Sequence, residues 1–217
     1  MPEPALSAAA IDYTLLKPQA AKAQREKFIG TARQRGYASV CLPPCWVTDA
    51  AESLKGSGVA VCTVVGFPLG HALAAVKHYE AEQALKSGAT EIDWVWNLHH
   101  FFSEDFPALE SELQQASTLA HQHNATLKVI VETGLMETAH QLQTAVELVA
   151  ASGAHYLKTS TGMLGPGPDA ALIRQIRTLP PQSLKIKASG GIRTPEKALA
   201  LLQAGAHRLG ASTDLLA

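Results

Sequence analysis

Four short strings in this sequence carry charges where a β-strand should be apolar. "TEIDWVWN" holds Glu91 and Asp93, "LKVIVETG" holds Lys128 and Glu132, "HYLKTSTG" holds Lys158, and "LKIKASGG" holds Lys185 and Lys187. Side chains alternate across a strand, so Glu91, Asp93, Val95 and Asn97 share one face while Ile92, Trp94 and Trp96 share the other. The same count groups Lys128 with Ile130 and Glu132, Tyr156 with Lys158 and Ser160, and Lys185 with Lys187 and Ser189. A buried amine beside a carboxylate has an obvious use, because a neutral lysine attacks carbonyl carbon to form a Schiff base while the carboxylate moves protons. Bringing an amine from about 10.4 to about 7 takes roughly 4.6 kcal/mol against its ammonium form. A second ammonium about 6 Å away supplies roughly 2.8 kcal/mol at an effective dielectric near 20, and desolvation supplies the rest. Lys158 and Lys187, on successive strands, are the pair that meets this requirement.

The elements that position these residues follow from the periodicity. "IDYTLL", "YASVCL", "VAVCTVVG", "TEIDWVWN", "TLKVIVET", "HYLKTST", "SLKIKAS" and "AHRLGAS" read as eight strands, separated by helical patterns such as "HALAAVKHYEAEQALKSG" and "PALESELQQASTLAHQHN". Gly-Ala junctions at 88–89, 153–154 and 205–206 mark helices that stop at a glycine and feed the next strand. Eight β-α units with right-handed crossovers close into a (β/α)8 TIM barrel, read as a single domain over residues 1–217. Only "TDLLA" follows the eighth strand, so the last helix must be stunted or missing. An open doubly wound sheet would carry a glycine-rich turn after its first strand, and "LLKPQA" has no glycine.

In a barrel, the polar faces of strands four to seven point to a common centre. A structural ion pair would explain any single one of these charges, but not several converging near the C-terminal ends of strands, where barrel enzymes keep their chemistry. The turns "KASGGIRT" and "RLGASTD" add exposed backbone N–H groups, with Ser189, Ser212 and Thr213, at the tops of strands seven and eight, where barrels bind phosphate. Thr194-Pro195 reads as the N-cap and first residue of a helix.

Bulk composition narrows the partners. Among 217 residues, 18 basic and 19 acidic side chains give a net charge of −1, with no basic stripe suited to nucleic acid. Three cysteines, Cys41, Cys45 and Cys62, suggest neither a disulfide framework nor a zinc site. "MPEPALSAAA" lacks the basic and apolar regions of a signal peptide, and no stretch has the length of a membrane span. These features are those expected of a cytoplasmic protein without a membrane partner.

The blocks "IDYTLLKP", "SVCLPP", "VCTVVGFPLG", "EIDWVWN", "LKVIVETG", "YLKTSTG", "IKASGGIRT" and "RLGAS" resemble, in order and spacing, those of deoxyribose-phosphate aldolase, from Ile11 to Ser212. The resemblance implies a class I, metal- and cofactor-free aldolase that reversibly cleaves 2-deoxy-D-ribose 5-phosphate to acetaldehyde and D-glyceraldehyde 3-phosphate. It implies that Lys158 forms the Schiff base, that Lys187 lowers the pKa of Lys158, and that Asp93 donates and accepts protons. It further implies phosphate contacts at Gly162, Gly190, Gly191, Gly210, Ser212 and Thr213, with Thr161 also among the substrate-binding residues. Asp12, Thr14 and Cys41 match residues near the pocket, and family members are often homodimers. The sequence departs from the family at Met163, where some members carry a phosphate-binding lysine, and at Leu42, where a polar residue is more usual. It ends at Ala217 without the C-terminal tyrosine tail of some members.

Two other readings remain open. Lys128 could be the active amine of a different Schiff-base barrel aldolase, acting on another, non-phosphorylated aldehyde. The chain could also be a sugar-phosphate-binding barrel without chemistry, although neither lysine nor Asp93 is missing. A zinc aldolase is disfavoured, because His99-His100 and His121/His123 do not share a helix face.

Overall fold

The structure, a computed structural model, describes residues 6–217; Met1–Ala5, part of the stretch read as lacking a signal peptide, lie outside it. Eight parallel strands close in sequence order, with β8 pairing back onto β1. They are β1 (Ile11–Thr14), β2 (Ser39–Leu42), β3 (Ala60–Val65), β4 (Glu91–Val95), β5 (Thr126–Ile130), β6 (Tyr156–Lys158), β7 (Lys185–Ser189) and β8 (Arg208–Ala211). All eight coincide with the strands expected from periodicity. The outer layer comprises α1 (Lys22–Arg35), α2 (Val47–Leu54), α3 (Ala74–Lys86), α4 (Leu98–Phe102), α5 (Phe106–Gln122), α6 (Ala139–Ala151), α7 (Ala170–Thr178) and α8 (Pro195–Gln203). Among the described residues no helix follows β8. The segment after it turns back instead, burying Leu215 and joining Asp214 to Tyr37 and Arg35.

Side-chain alternation decides what each strand buries. Trp94 and Trp96 of the β4 segment face the helices and are almost completely buried. There Trp94 Nε1 donates to Glu112 of α5 at 2.9 Å, and Lys77 of α3 donates to the same carboxylate at 2.6 Å. The strand alternation that marks the inward charges says nothing of this buried pair, because Lys77 and Glu112 lie in helices.

The helices start and stop as their sequences dictate. Thr194 caps α8 by accepting from Lys197 N–H, with Pro195 at the first position. Thr138 and Gln141 form a capping box on α6. Gly88, Gly153 and Gly205 take positive φ (106°, 80° and 111°) in the turns that enter β4, β6 and β8. The residue two positions after each glycine repeats one device. Thr90 Oγ1 accepts Val61 N–H (3.2 Å), His155 Nδ1 accepts Leu127 N–H (3.1 Å), and His207 Nδ1 accepts Ile186 N–H (3.1 Å). Val61, Leu127 and Ile186 are each the second residue of the preceding strand, so the N-terminal end of the barrel satisfies its own backbone.

Candidate active site

The inward faces of five strands and of β1 meet in one buried ionic cluster. Lys158 and Lys187 are direct register partners on β6 and β7. Each Nζ lies 2.6 Å from the same oxygen, Asp93 Oδ2. Lys187 is also 2.6 Å from Asp12 of β1. Lys128 lies 2.9 Å from Asp93 Oδ1, 2.6 Å from Glu91 and 3.4 Å from Asp12. Arg208 of β8 completes the cluster through Asp12 and, at 3.2 Å, Glu91. Four cations thus face three carboxylates.

Burial and charge oppose each other here, and charge prevails. Burial alone would raise the Asp93 carboxyl, but Lys128, Lys158 and Lys187 hold it well below the usual carboxylate range. Asp12 is likewise lowered against its burial by Lys187, Lys128 and Arg208. Burial would lower Lys187, yet Asp12 and Asp93 push it above the ordinary lysine value, and Lys128 is pushed up by the same carboxylates. Lys187 is thus favoured in its ammonium form, 2.6 Å from the carboxylate oxygen that Lys158 also binds. The sequence suggested two neighbouring amines; the structure interposes Asp93 between them.

Above this cluster, at the C-terminal end of the strands, a cavity of about 490 Å3 opens. Of the expected site residues, Thr14, Lys158, Thr161, Gly162, Gly190, Gly191, Gly210 and Ser212 line it. Asp93, Lys187, Asp12 and Cys41 lie beneath its floor, fully buried. Thr213 is exposed outside the lining. Gly210 is required by close packing, since a Cβ there would approach Ser189 Cβ to 2.8 Å and Lys187 Cε to 3.4 Å. The N–H groups of Gly162, Gly190, Gly191 and Ser212 have no hydrogen-bond acceptor among the described residues. Lys17, Lys27 and Arg193 also line the cavity, and no acidic residue does, so an anion is drawn to it.

Not every inward expectation holds. Lys185 is exposed at the start of β7, with Nζ 5.6 Å from the Tyr156 ring, because the first residue of a strand reaches solvent at the barrel's bottom. Arg208 was not singled out beforehand, although it shares its strand face with Gly210. Cys41 and Cys62, register partners on β2 and β3, and Asp93 offer donor atoms within 4.8 Å of one another. The set does not suit a metal ion: both Asp93 oxygens already bind ammonium groups, and a dication would face three lysines.

The chain resembles known proteins along most of its length. The family model described as DeoC/LacD family aldolase matches residues 6–213. A deoxyribose-phosphate aldolase of Enterococcus faecalis is 43% identical over 205 residues, covering 94% of this chain and 92% of its own. One from Clostridium kluyveri is 44% identical over 207 residues, covering 94% and 93%. Among solved structures, the tetrameric deoxyribose phosphate aldolase of Aeropyrum pernix superposes with a TM-score of 0.88 at 34% identity, covering 94% of this chain and 86% of that one.

Proposed function

Since the chain belongs to the DeoC/LacD family of aldolases, we propose that it reversibly cleaves 2-deoxy-D-ribose 5-phosphate to acetaldehyde and D-glyceraldehyde 3-phosphate through a Schiff base on Lys158. One observation carries this reading: of the three lysines in the buried cluster, Lys158 alone lines the cavity. Lys128 is sealed below by three carboxylates, which argues against it as the reacting amine.

The charge count explains how Lys158 comes to react. Lys128 has three carboxylate partners, Lys187 two and Lys158 one. Removing the Lys158 proton leaves three cations against three carboxylates, a balanced cluster in a dry interior. The neutral amine adds to the aldehyde carbon of the open-chain sugar, and loss of water gives the protonated imine. A base takes the C3 hydroxyl proton, the C2–C3 bond breaks, and its electrons move into the imine to leave an enamine and D-glyceraldehyde 3-phosphate. Protonation of the enamine carbon and hydrolysis then release acetaldehyde and the amine. Asp93, 2.6 Å from Lys158 Nζ, is the group suited to moving these protons, and Lys187 holds it in place as its charged partner.

The phosphate end fits the unpaired N–H groups of Gly162, Gly190, Gly191 and Ser212, with Arg193, Lys17 and Lys27 supplying the charge that Met163 does not. The chain is further proposed to be cytoplasmic and to form a homodimer. Its three cysteines are unpaired, and no helix among the described residues is long and apolar enough to cross a membrane. Leu73, Val76 and Tyr79 on α3 and its entry are 55–77% exposed, an apolar strip suited to a second copy.

Borohydride trapping tests the reaction. Incubation with acetaldehyde, reduction and digestion should leave an ethyl group on Lys158. An adduct on Lys128 would point to a different Schiff-base aldolase, and no specific adduct would favour a binding protein.

A further inference from the structure

Glu132 sits just past the end of β5 and plays no part in the chemistry above, yet its setting is costly in two ways. Its backbone is left-handed (φ 53°, ψ 59°), a conformation that non-glycine residues hold only where the surroundings enforce it. Its side chain is fully buried, and Oε1 has no hydrogen-bond partner among the described residues. A carboxylate kept under these conditions must be held for what its other oxygen does. Oε2 accepts both the N–H (3.0 Å) and the hydroxyl (2.5 Å) of Thr161, in the turn that follows Lys158.

We propose that Glu132 is the positioning residue for the substrate's phosphate, pinning the turn after β6 so that the N–H of Gly162 faces the cavity. The inference rests on the function proposed above and deepens it. Both Thr161 donors are drawn to the Glu132 side, and Thr161 Oγ1 in turn accepts Met163 N–H at 3.1 Å. The hydroxyl is consumed within the turn, so it orders the loop and leaves the substrate to its neighbour. Gly162, at φ 77°, is the next residue, and its N–H has no acceptor. A Cβ on Gly162 would lie 3.4 Å from Gly190 Cα, so the two glycine turns that bracket the anion site touch. Glu132 thus fixes one wall of that site from behind, while its Oε2 is spent on Thr161.

The test compares phosphorylated with unphosphorylated 2-deoxyribose. Glu132→Leu should raise KM for the phosphorylated sugar about 10-fold, the loss expected for one charge-assisted hydrogen bond. It should change kcat, and kcat/KM for the unphosphorylated sugar, by no more than about 2-fold. Glu132→Gln keeps an acceptor for Thr161 and should restore discrimination. Equal losses on both sugars, or no change on either, would overturn the proposal. A second measurement stands free of turnover and of the leucine variant's folding. On titration with inorganic phosphate, the Gly162 amide resonance should shift in the wild type, and Thr161→Val should weaken that response. A wild-type Gly162 amide indifferent to phosphate would overturn the proposal even if Lys158 is trapped. Failure of the trapping alone would remove the aldolase reading and leave this titration to decide the anion site.

Discussion

The two ends of the barrel treat backbone N–H groups in opposite ways. At the N-terminal end, Thr90, His155 and His207 each accept an N–H from the strand before, so the chain closes on itself. At the C-terminal end, Gly162, Gly190, Gly191 and Ser212, which line a cavity with basic and no acidic side chains, have no acceptor for theirs among the described residues. The same repeated strand-and-helix unit makes both ends. What differs is whether the connecting residues carry acceptors, and that difference separates a seam that stabilises from a surface that binds.

The sharpest way to break the comparison is at the boundary between ions and cavity. Lys158→Met should reduce turnover to background while leaving unfolding by urea near wild type, since three cations then match three carboxylates. Retained activity would refute the role of Lys158. One layer lower, Lys128→Met also leaves three cations to three carboxylates, but it removes the amine that touches all three and leaves Glu91 only its 3.2 Å contact with Arg208, so it should cost about 3–5 kcal/mol in urea unfolding at pH 7.5. A loss below about 1 kcal/mol would mean the cluster is far wetter than its burial suggests.

The smallest effects belong to the N-terminal seam. Burial lowers the pKa of both His155 and His207, assisted by nearby cations and, for His155, by His121. Their neutral forms are therefore favoured on folding, and the contribution is present above the ordinary histidine value near 6.5 and lost as pH falls through the lower folded values. Replacing both by Ala should cost about 2 kcal/mol at pH 7.5, near 1 kcal/mol per hydrogen bond, with the gap to wild type narrowing at pH 5. Thr90→Val should cost about 1 kcal/mol at either pH. Neither set should change the kinetics, and a pH-independent gap for the histidine variant would remove their acceptor role.

Much of this was legible in the sequence because strands impose a period of two. That alone sent Asp93, Lys128, Lys158 and Lys187 inward and Trp94 outward, and the Gly190-Gly191 pair and Gly210 marked two anion turns. What escaped had no periodic signature. Lys185 obeys the same alternation yet reaches solvent, because strand ends are not enclosed. Arg208 is a lone charge in a short strand, and only barrel closure brings it to Asp12. The left-handed backbone at Glu132 and the Lys77–Glu112 pair beneath two amphipathic helices depend on contacts between distant segments.

The ions of the central cluster also divide along the chain. Asp12, Glu91 and Asp93, all three carboxylates, come from β1 to β4, whereas Lys128, Lys158, Lys187 and Arg208 come from β5 to β8. Each half-barrel alone would hold cluster charges of one sign, repelling one another, while the two together neutralise. A chain cut between β4 and β5 would yield two fragments that are each other's counterion, so reassembly should favour one half of each kind over two alike.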